Sequence, residues 1–293
     1  MPDPALQTID PDRHVLIAGP TASGKSRLAL CIAEAQGGLI VNADALQVWA
    51  CWRVLTARPT TEDEARAPHA LYGHVACGRS YSVGDWLREV AGLTGQRLIV
   101  VGGTGLYLSA LTRGLAPVPP VPPEIRAEGD ALLARPDGLA RMLAGLDEPT
   151  RVGLDQRNPA RVQRAWEVWR ATGRGLAAWQ AETPPPLIPP DAAQRLVLTA
   201  DRDWLAARIA QRLDQMIALG ALDEVRALLP HWQPSQQWAR AIGAPEFVAH
   251  LRGQTDLATA TGLAVIATRQ YAKSQRIWFR NRMRDWQPWA VGH

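Results

Sequence analysis

Lysine is almost missing from this chain: of its 32 basic residues only Lys25 and Lys273 are not arginine. A lysine kept at position 25 in an arginine-using chain therefore marks that position. Cysteine is scarce as well. Cys31, Cys51 and Cys77 fall in no C-x-x-C or Cys/His spacing, which argues against zinc and against a disulfide-stapled scaffold, and all three are expected to be reduced thiols. No apolar run approaches the roughly 20 residues of a membrane span. The start, MPDPALQTIDPDRH, carries acids and prolines where a targeting segment would place a basic and then an apolar stretch. A cytoplasmic protein without internal repeats is expected.

What is present is ordinary globular material. The 293 residues are 47% hydrophobic and 20% charged, enough for one large or two modest domains with a sizeable core. The net charge of +4 suits an anionic partner without naming one.

The short apolar run Val15 to Ala18 reads as a buried strand, Leu39 to Val41 and Leu98 to Val101 as two further short strands, and Arg195 to Ala200 as one more. A helix is expected from about Ser26 to Gln36, stopped by Gly37-Gly38, and nearly everything after the last strand looks helical. Strands alternating with helices imply a parallel sheet covered on both faces. Two proline clusters, Pro117 to Pro123 and Pro184 to Pro190, bracket a stretch with Trp166, Trp169 and Trp179 at helical spacing. Proline-rich segments are semi-rigid spacers. The expected architecture is α/β, a parallel sheet core at 1–115 and 195–293 with helices on both faces and a small helical domain inserted at 116–194.

Gly19-Pro20-Thr21-Ala22-Ser23-Gly24-Lys25-Ser26 matches G-x-x-x-x-G-K-[ST] between a strand and a helix, the context a phosphate loop needs. Glycines let backbone N–H groups turn onto phosphate oxygens, the helix start adds positive potential, Lys25 supplies a cation and Ser26 can hold Mg²⁺. A nucleotide hydrolase normally adds an Asp at a strand end for the metal. Here Leu98 to Val101 runs into Gly102-Gly103-Thr104 with no acid, and Asp201 opens a helix, where capping is the simpler role. That pattern favours a bound diphosphate as leaving group over a reacting phosphoryl centre.

With these features in place, GPTASGKS (19–26), NADALQVW (42–49), LTARP (55–59), APH (67–69), YSVGDW (81–86), VGGTGLY (101–107), RNPARVQRAWEV (157–168) and ATRQYAKSQRIWFR (267–280) together resemble the tRNA dimethylallyltransferase family, also called IPP transferases. The resemblance covers nearly the whole chain. It implies a P-loop NTPase-like core, Mg²⁺, dimethylallyl diphosphate as donor, and N6 of the adenosine 3′ of the anticodon (position 37) as acceptor, in tRNAs reading codons that begin with U. By position it assigns the catalytic base to Asp44, which is chemically apt because a carboxylate just past a strand end can orient and deprotonate an attacking amine. It also has Gly19, Thr21, Ala22, Ser23, Gly24, Lys25 and Ser26 wrap the diphosphate, with Thr104 and Arg212 helping to hold it. Arg212 sits beside the apolar stripe Leu205, Ile209, Leu213 and Met216, so a solvated helix edge is its alternative reading. Ser82 and Asp85 read as a capping box, and His69 as structural.

Arg269, Lys273, Arg276, Arg280 and Arg284 are spaced for one face of a helix with no acid among them, and Tyr271 and Trp278 fall on the opposite, core-facing side. This is the pattern of a phosphate track. The resemblance adds Asp44, Ala45, Leu46 and Gln47, Arg161 and Arg164 of the insertion, and Arg240 as tRNA contacts. The partner it implies is the anticodon stem-loop, gripped by one monomer. Departures from the family pattern are Ala45 and Trp49 near the base, which alter the expected adenine contact, and Ala244-Pro245 where an aromatic and a basic residue are usual, which predict a weaker or altered tRNA grip there with activity retained. A free adenine-nucleotide prenyltransferase, a small-molecule P-loop kinase and a nonenzymatic RNA-binding module remain the rival readings.

Overall fold

A computed structural model describes residues 7–292. Its six-stranded sheet is parallel throughout, in the order β3-β2-β4-β1-β5-β6. The strands are β1 (His14–Ala18), β2 (Leu39–Asn42), β3 (His69–Ala70), β4 (Leu98–Gly102), β5 (Ala193–Ala200) and β6 (Gln287–Val291). The central strands are nearly unbroken aliphatic runs because both of their faces are covered: Val15, Leu16, Ile17 and Ala18 are wholly buried, as are Leu98, Ile99 and Val100. Strand β1 lies between β4 and β5, with Val15 opposite Ile99 and Ile17 opposite Leu196, so the loop leaving β1 is flanked by the two strand ends beside it.

The chain divides into two compact units, residues 1–112 with 188–293, and residues 113–187. The first carries the sheet with α1 (Lys25–Gln36), α2 (Thr61–Arg66), α3 (Val83–Ala91) and α4 (Gly105–Arg113), then α10 (Arg202–Ala218), α11 (Ala221–Leu228), α12 (Ala244–Leu251) and α13 (Leu257–Arg282). Ser82 and Asp85 form the expected capping box on α3, and Asp201 caps α10 through the N–H groups of Asp203 and Trp204.

The second unit is helical: α5 (Pro123–Leu133), α6 (Gly138–Ala144), α7 (Glu148–Gly153), α8 (Pro159–Thr172) and α9 (Leu176–Ala181). Met142, Leu146, Val162, Ala165 and Trp166 make its core. The expectation of an insertion at 116–194 differs from this unit at both ends. Ile188 donates its N–H to Leu111 at 3.1 Å and is buried, and β5 begins at Ala193, so the second proline cluster straddles the boundary, with Pro184 to Pro186 closing the helical unit and Pro189 and Pro190 already in the first.

Two further expectations are corrected. Strand β6 pairs with β5 where only helix was foreseen; its exposed, Trp- and Pro-containing sequence has no apolar run to announce it. Cys51 and Cys77 are joined in a disulfide, not reduced; only Cys31 is free. A parallel bridge between Trp49 and Val75 and the Ala50 N–H to Val75 carbonyl bond at 2.8 Å lay the two segments side by side, which a separation of 26 residues does not reveal. Among the described residues no helix is long and apolar enough to cross a membrane.

Candidate active site

The loop leaving β1 folds tightly over itself. A Cβ on Gly19 would lie 2.8 Å from Ser23 Oγ and 3.1 Å from Leu198 Cβ, so only glycine leaves room for the turn. Gly24 is left-handed at φ 87° and occupies the N-cap of α1 without a side-chain cap. Ala22 is also left-handed, at φ 63°, an uncommon state for a residue with a Cβ and one that clusters where backbone serves a site. The uncapped first turn of α1 leaves backbone donors for an outside acceptor, at the positive end of the helix dipole.

Asp44 is placed with equal definition. Asn42, fully buried at the end of β2, accepts the Asp44 N–H at 2.8 Å and donates to the carbonyls of Asp44 and Leu71 at 3.0 Å each. The Asp44 carboxylate accepts the Leu46 N–H at 3.0 Å. Behind this turn stands Thr104, whose hydroxyl accepts the Ala45 N–H at 2.9 Å and whose own N–H donates to Ala43 at 3.2 Å. Gly102 permits the approach, since a Cβ there would lie 2.0 Å from the Ala43 carbonyl oxygen. Thr104, expected on the diphosphate, thus supports the Asp44 turn directly.

One cavity joins the two features. Its wall contains Thr21, Ala22, Lys25 and Ser26 of the loop, Asp44, Leu46 and Gln47 after β2, Leu55 and Thr56, Arg212 among Ile209, Leu213 and Met216 of α10, Ile242, and Thr268 and Tyr271 of α13. A neighbouring cleft runs over Gly24, Lys25 and Ser26 to Arg27, Arg208 and Arg212. Arg212 therefore points into the site and is not a solvated edge. Tyr271 also differs from expectation, because it faces the cavity and not a closed core. The carbonyl of Ala22 is held by Arg208 Nε at 3.1 Å.

The electrostatics are those of an anion site. Burial, reinforced by Arg212 and opposed by Asp44, pushes the Lys25 ammonium down to about 8. Burial also lowers Arg212, against the pull of Asp44. Two cations held together in a pocket with one carboxylate gain most from an anionic ligand. Gln47 lines the cavity, but its amide nitrogen donates to Thr56 and Ala57 at 2.8 and 3.0 Å. Glu224 of α11 clamps the preceding segment by accepting the N–H groups of Arg53, Val54 and Leu55 at 2.8, 2.8 and 2.9 Å.

The sequence model described as IPP transferase matches residues 47–282. The chain belongs to the IPP transferase family. It is 68% identical to a tRNA dimethylallyltransferase of Paracoccus denitrificans, over 99% of this chain and 98% of that one. It is 63% identical to that of Dinoroseobacter shibae, over 100% and 99%. Among solved structures, the tRNA isopentenylpyrophosphate transferase of Bacillus halodurans superposes with a TM-score of 0.67 at 28% identity, covering 95% of this chain and 90% of that one. A eukaryotic dimethylallyltransferase acting on tRNA gives a TM-score of 0.78 at 24% identity, covering 94% and 73%, a likeness of fold. The sheet is accordingly the P-loop NTPase-like core of IPP transferases.

In this member of the family the residues expected on RNA are scattered over several elements. Arg269, Lys273 and Arg280 are exposed on α13, Arg276 is half-buried, and among the described residues none of the four has an ion pair. Arg284 is not on their helix, which ends at Arg282 with Met283 as its cap. Arg240 is exposed in a short 3₁₀ turn, Trp238–Arg240. In the helical unit Arg161 is exposed, whereas Arg164 pairs with the buried Glu167 at 3.9 Å. Trp49 is buried, as is Ala244, so neither side chain is available to touch RNA; Pro245 lies exposed in the first turn of α12. Sequence reasoning missed Gln275, a buried amide of α13 that reaches the phosphate loop, and Glu224, for which no sequence pattern gave a signal.

Proposed function

We propose that this IPP transferase transfers the dimethylallyl group of dimethylallyl diphosphate to N6 of adenosine 37 in tRNAs that read codons beginning with U. The observation that carries the proposal is the single cavity in which the Asp44 carboxylate faces a phosphate loop flanked by Lys25 and Arg212. The diphosphate sits on residues 19–26, its charge met by Lys25, Arg212 and the open N–H groups of α1. Asp44 accepts a hydrogen bond from the adenine amine, orients it toward C1 of the donor, and takes the proton as the C–N bond forms. The C1–O bond breaks with its electron pair leaving on diphosphate, whose added charge the same cations stabilise. Developing positive charge on the allylic carbons lies among Leu46, Leu55, Ile209 and the Tyr271 ring.

The residues also fit Mg²⁺. Among the described residues no cluster of three acids, histidines or cysteines is present, but Ser26 lines the cavity, and Mg²⁺ is commonly held by one hydroxyl or carboxylate together with substrate phosphates. Ser26 would be its protein ligand, and the ion would add to the charge neutralisation of the leaving group.

For N6 to reach the cavity the nucleotide must leave its stack, as in other base-modifying enzymes. The row Arg269, Lys273, Arg276 and Arg280, with Arg240 and Arg161, supports binding of the anticodon stem-loop through its phosphates. Every group of the reaction comes from one chain, which supports a monomer, working in the cytoplasm where its tRNA substrates are. The test is radiolabelled dimethylallyl diphosphate offered to unmodified tRNA and, separately, to AMP. Label on tRNA is expected. Label on AMP alone would replace the reading with a free-nucleotide prenyltransferase.

A further inference from the structure

Gln275 is 5% exposed in the middle of α13, on the face opposite the cationic row. Its Oε1 accepts the N–H of Thr21 in the phosphate loop at 2.9 Å, and its Nε2 donates to the carbonyl of Gly103, just past β4, at 2.9 Å. The orientation of the amide is forced, because a backbone N–H can only donate and a carbonyl can only accept. One planar group therefore spans the loops that leave two adjacent strands. The contact is close by construction: a Cβ on Gly103 would lie 2.1 Å from Gln275 Nε2 and 3.4 Å from Asp44 Oδ2. From Gly103 the connection continues through Thr104 to the Ala45 N–H at 2.9 Å, next to Asp44.

We infer that Gln275 is a positioning residue of the transfer reaction, fixing the diphosphate cradle relative to the Asp44 turn so that leaving group and base are held at one separation. The inference rests on the reading of the site given above. A reaction with two bound partners depends on their spacing, and a misplacement of about 1 Å can lower the rate about 100-fold. A purely apolar residue at 275 would leave the Thr21 N–H and the Gly103 carbonyl without partners, and the loop would be free to resettle.

Two variants in the full chain test this, Gln275→Leu and the nearly isosteric Gln275→Glu. In Gln275→Glu one carboxylate oxygen still accepts from Thr21, but the other faces the Gly103 carbonyl and cannot donate until protonated. Its kcat is expected to fall about 10- to 100-fold at pH 8 and to recover as the pH is lowered, a recovery the unaltered enzyme lacks. KM for tRNA should stay within about twofold, since the cationic row is untouched. Gln275→Leu should lose kcat at every pH. Calorimetric titration with inorganic pyrophosphate supplies a readout independent of turnover, in which both variants should bind about tenfold more weakly at pH 8. If the unaltered enzyme forms no prenylated tRNA, the functional reading fails while the pyrophosphate titration still decides the role of Gln275. Unchanged pyrophosphate affinity, or a loss of activity accounted for by the fraction unfolded in circular dichroism, would overturn the inference.

Discussion

The depressed Lys25 ammonium gives the most quantitative expectation. Burial and Arg212 hold it at about 8, against 10.5 for an exposed lysine. A diphosphate binds the protonated form and restores its charge environment, so affinity is full below pH 8 and declines above it by up to tenfold per unit. Between pH 7 and pH 9 binding should weaken about tenfold. The probe is methyl diphosphate, whose own ionisation is complete by pH 8, titrated calorimetrically at constant ionic strength. Stability should move the other way. The folded state releases this proton before the unfolded chain does, so between about pH 8 and 10.5 the unfolded state binds more protons and Lys25 contributes a rising stability. Affinity falling while Tm holds or rises separates local titration from alkaline unfolding. Lys25→Arg keeps its charge across the range and should bind with a flat profile. Affinity independent of pH from 7 to 9 in the unaltered protein, or an identical decline in Lys25→Arg, would refute the reasoning.

Other consequences are simpler. Asp44→Ala should lower kcat by about 10²- to 10⁴-fold with tRNA affinity changed only a few fold, in single-turnover kinetics and filter binding respectively. Replacing Arg276 and Arg280 together by Ala should weaken tRNA binding and make log Kd less steep in log salt by about one to two. Cys77→Ser should cost about 3 kcal/mol in urea denaturation under oxidising conditions, from the 26-residue separation it closes, and nothing once reductant is present.

The parts of this enzyme that could be read from its residues are those in which one physical requirement fixes a local pattern. A strand buried on both faces must be an apolar run, so β1, β2 and β4 stood out, with β5 marked only by its short Leu196-Val197-Leu198 centre, and a loop that lets backbone meet phosphate must place its glycines as 19 and 24 are placed. Edge strand β6, exposed on most positions, lacks that requirement and looked like surface. The Cys51–Cys77 bond depends on two segments meeting through a bridge at Trp49 and Val75, a tertiary fact without local signature. Gln275 was hidden for a related reason: the arginines around it announce a helix face by charge, whereas a lone buried amide announces nothing until its partners 172 and 254 residues away are known. Ala244 and Trp49 show the converse. Both looked like altered contacts to RNA, and both are packed inside the protein.

The bond that breaks at the phosphate loop separates prenyl transfer from phosphoryl transfer. Tritium at C1 of dimethylallyl diphosphate and ³²P at the γ position of ATP, each supplied with unmodified tRNA and followed by nuclease digestion and chromatography, distinguish the possibilities. Tritium co-migrating with N6-isopentenyladenosine, with free diphosphate released in equal amount, is the predicted result. ³²P covalently bound to any acceptor, with no tritium in the nucleosides, would contradict it.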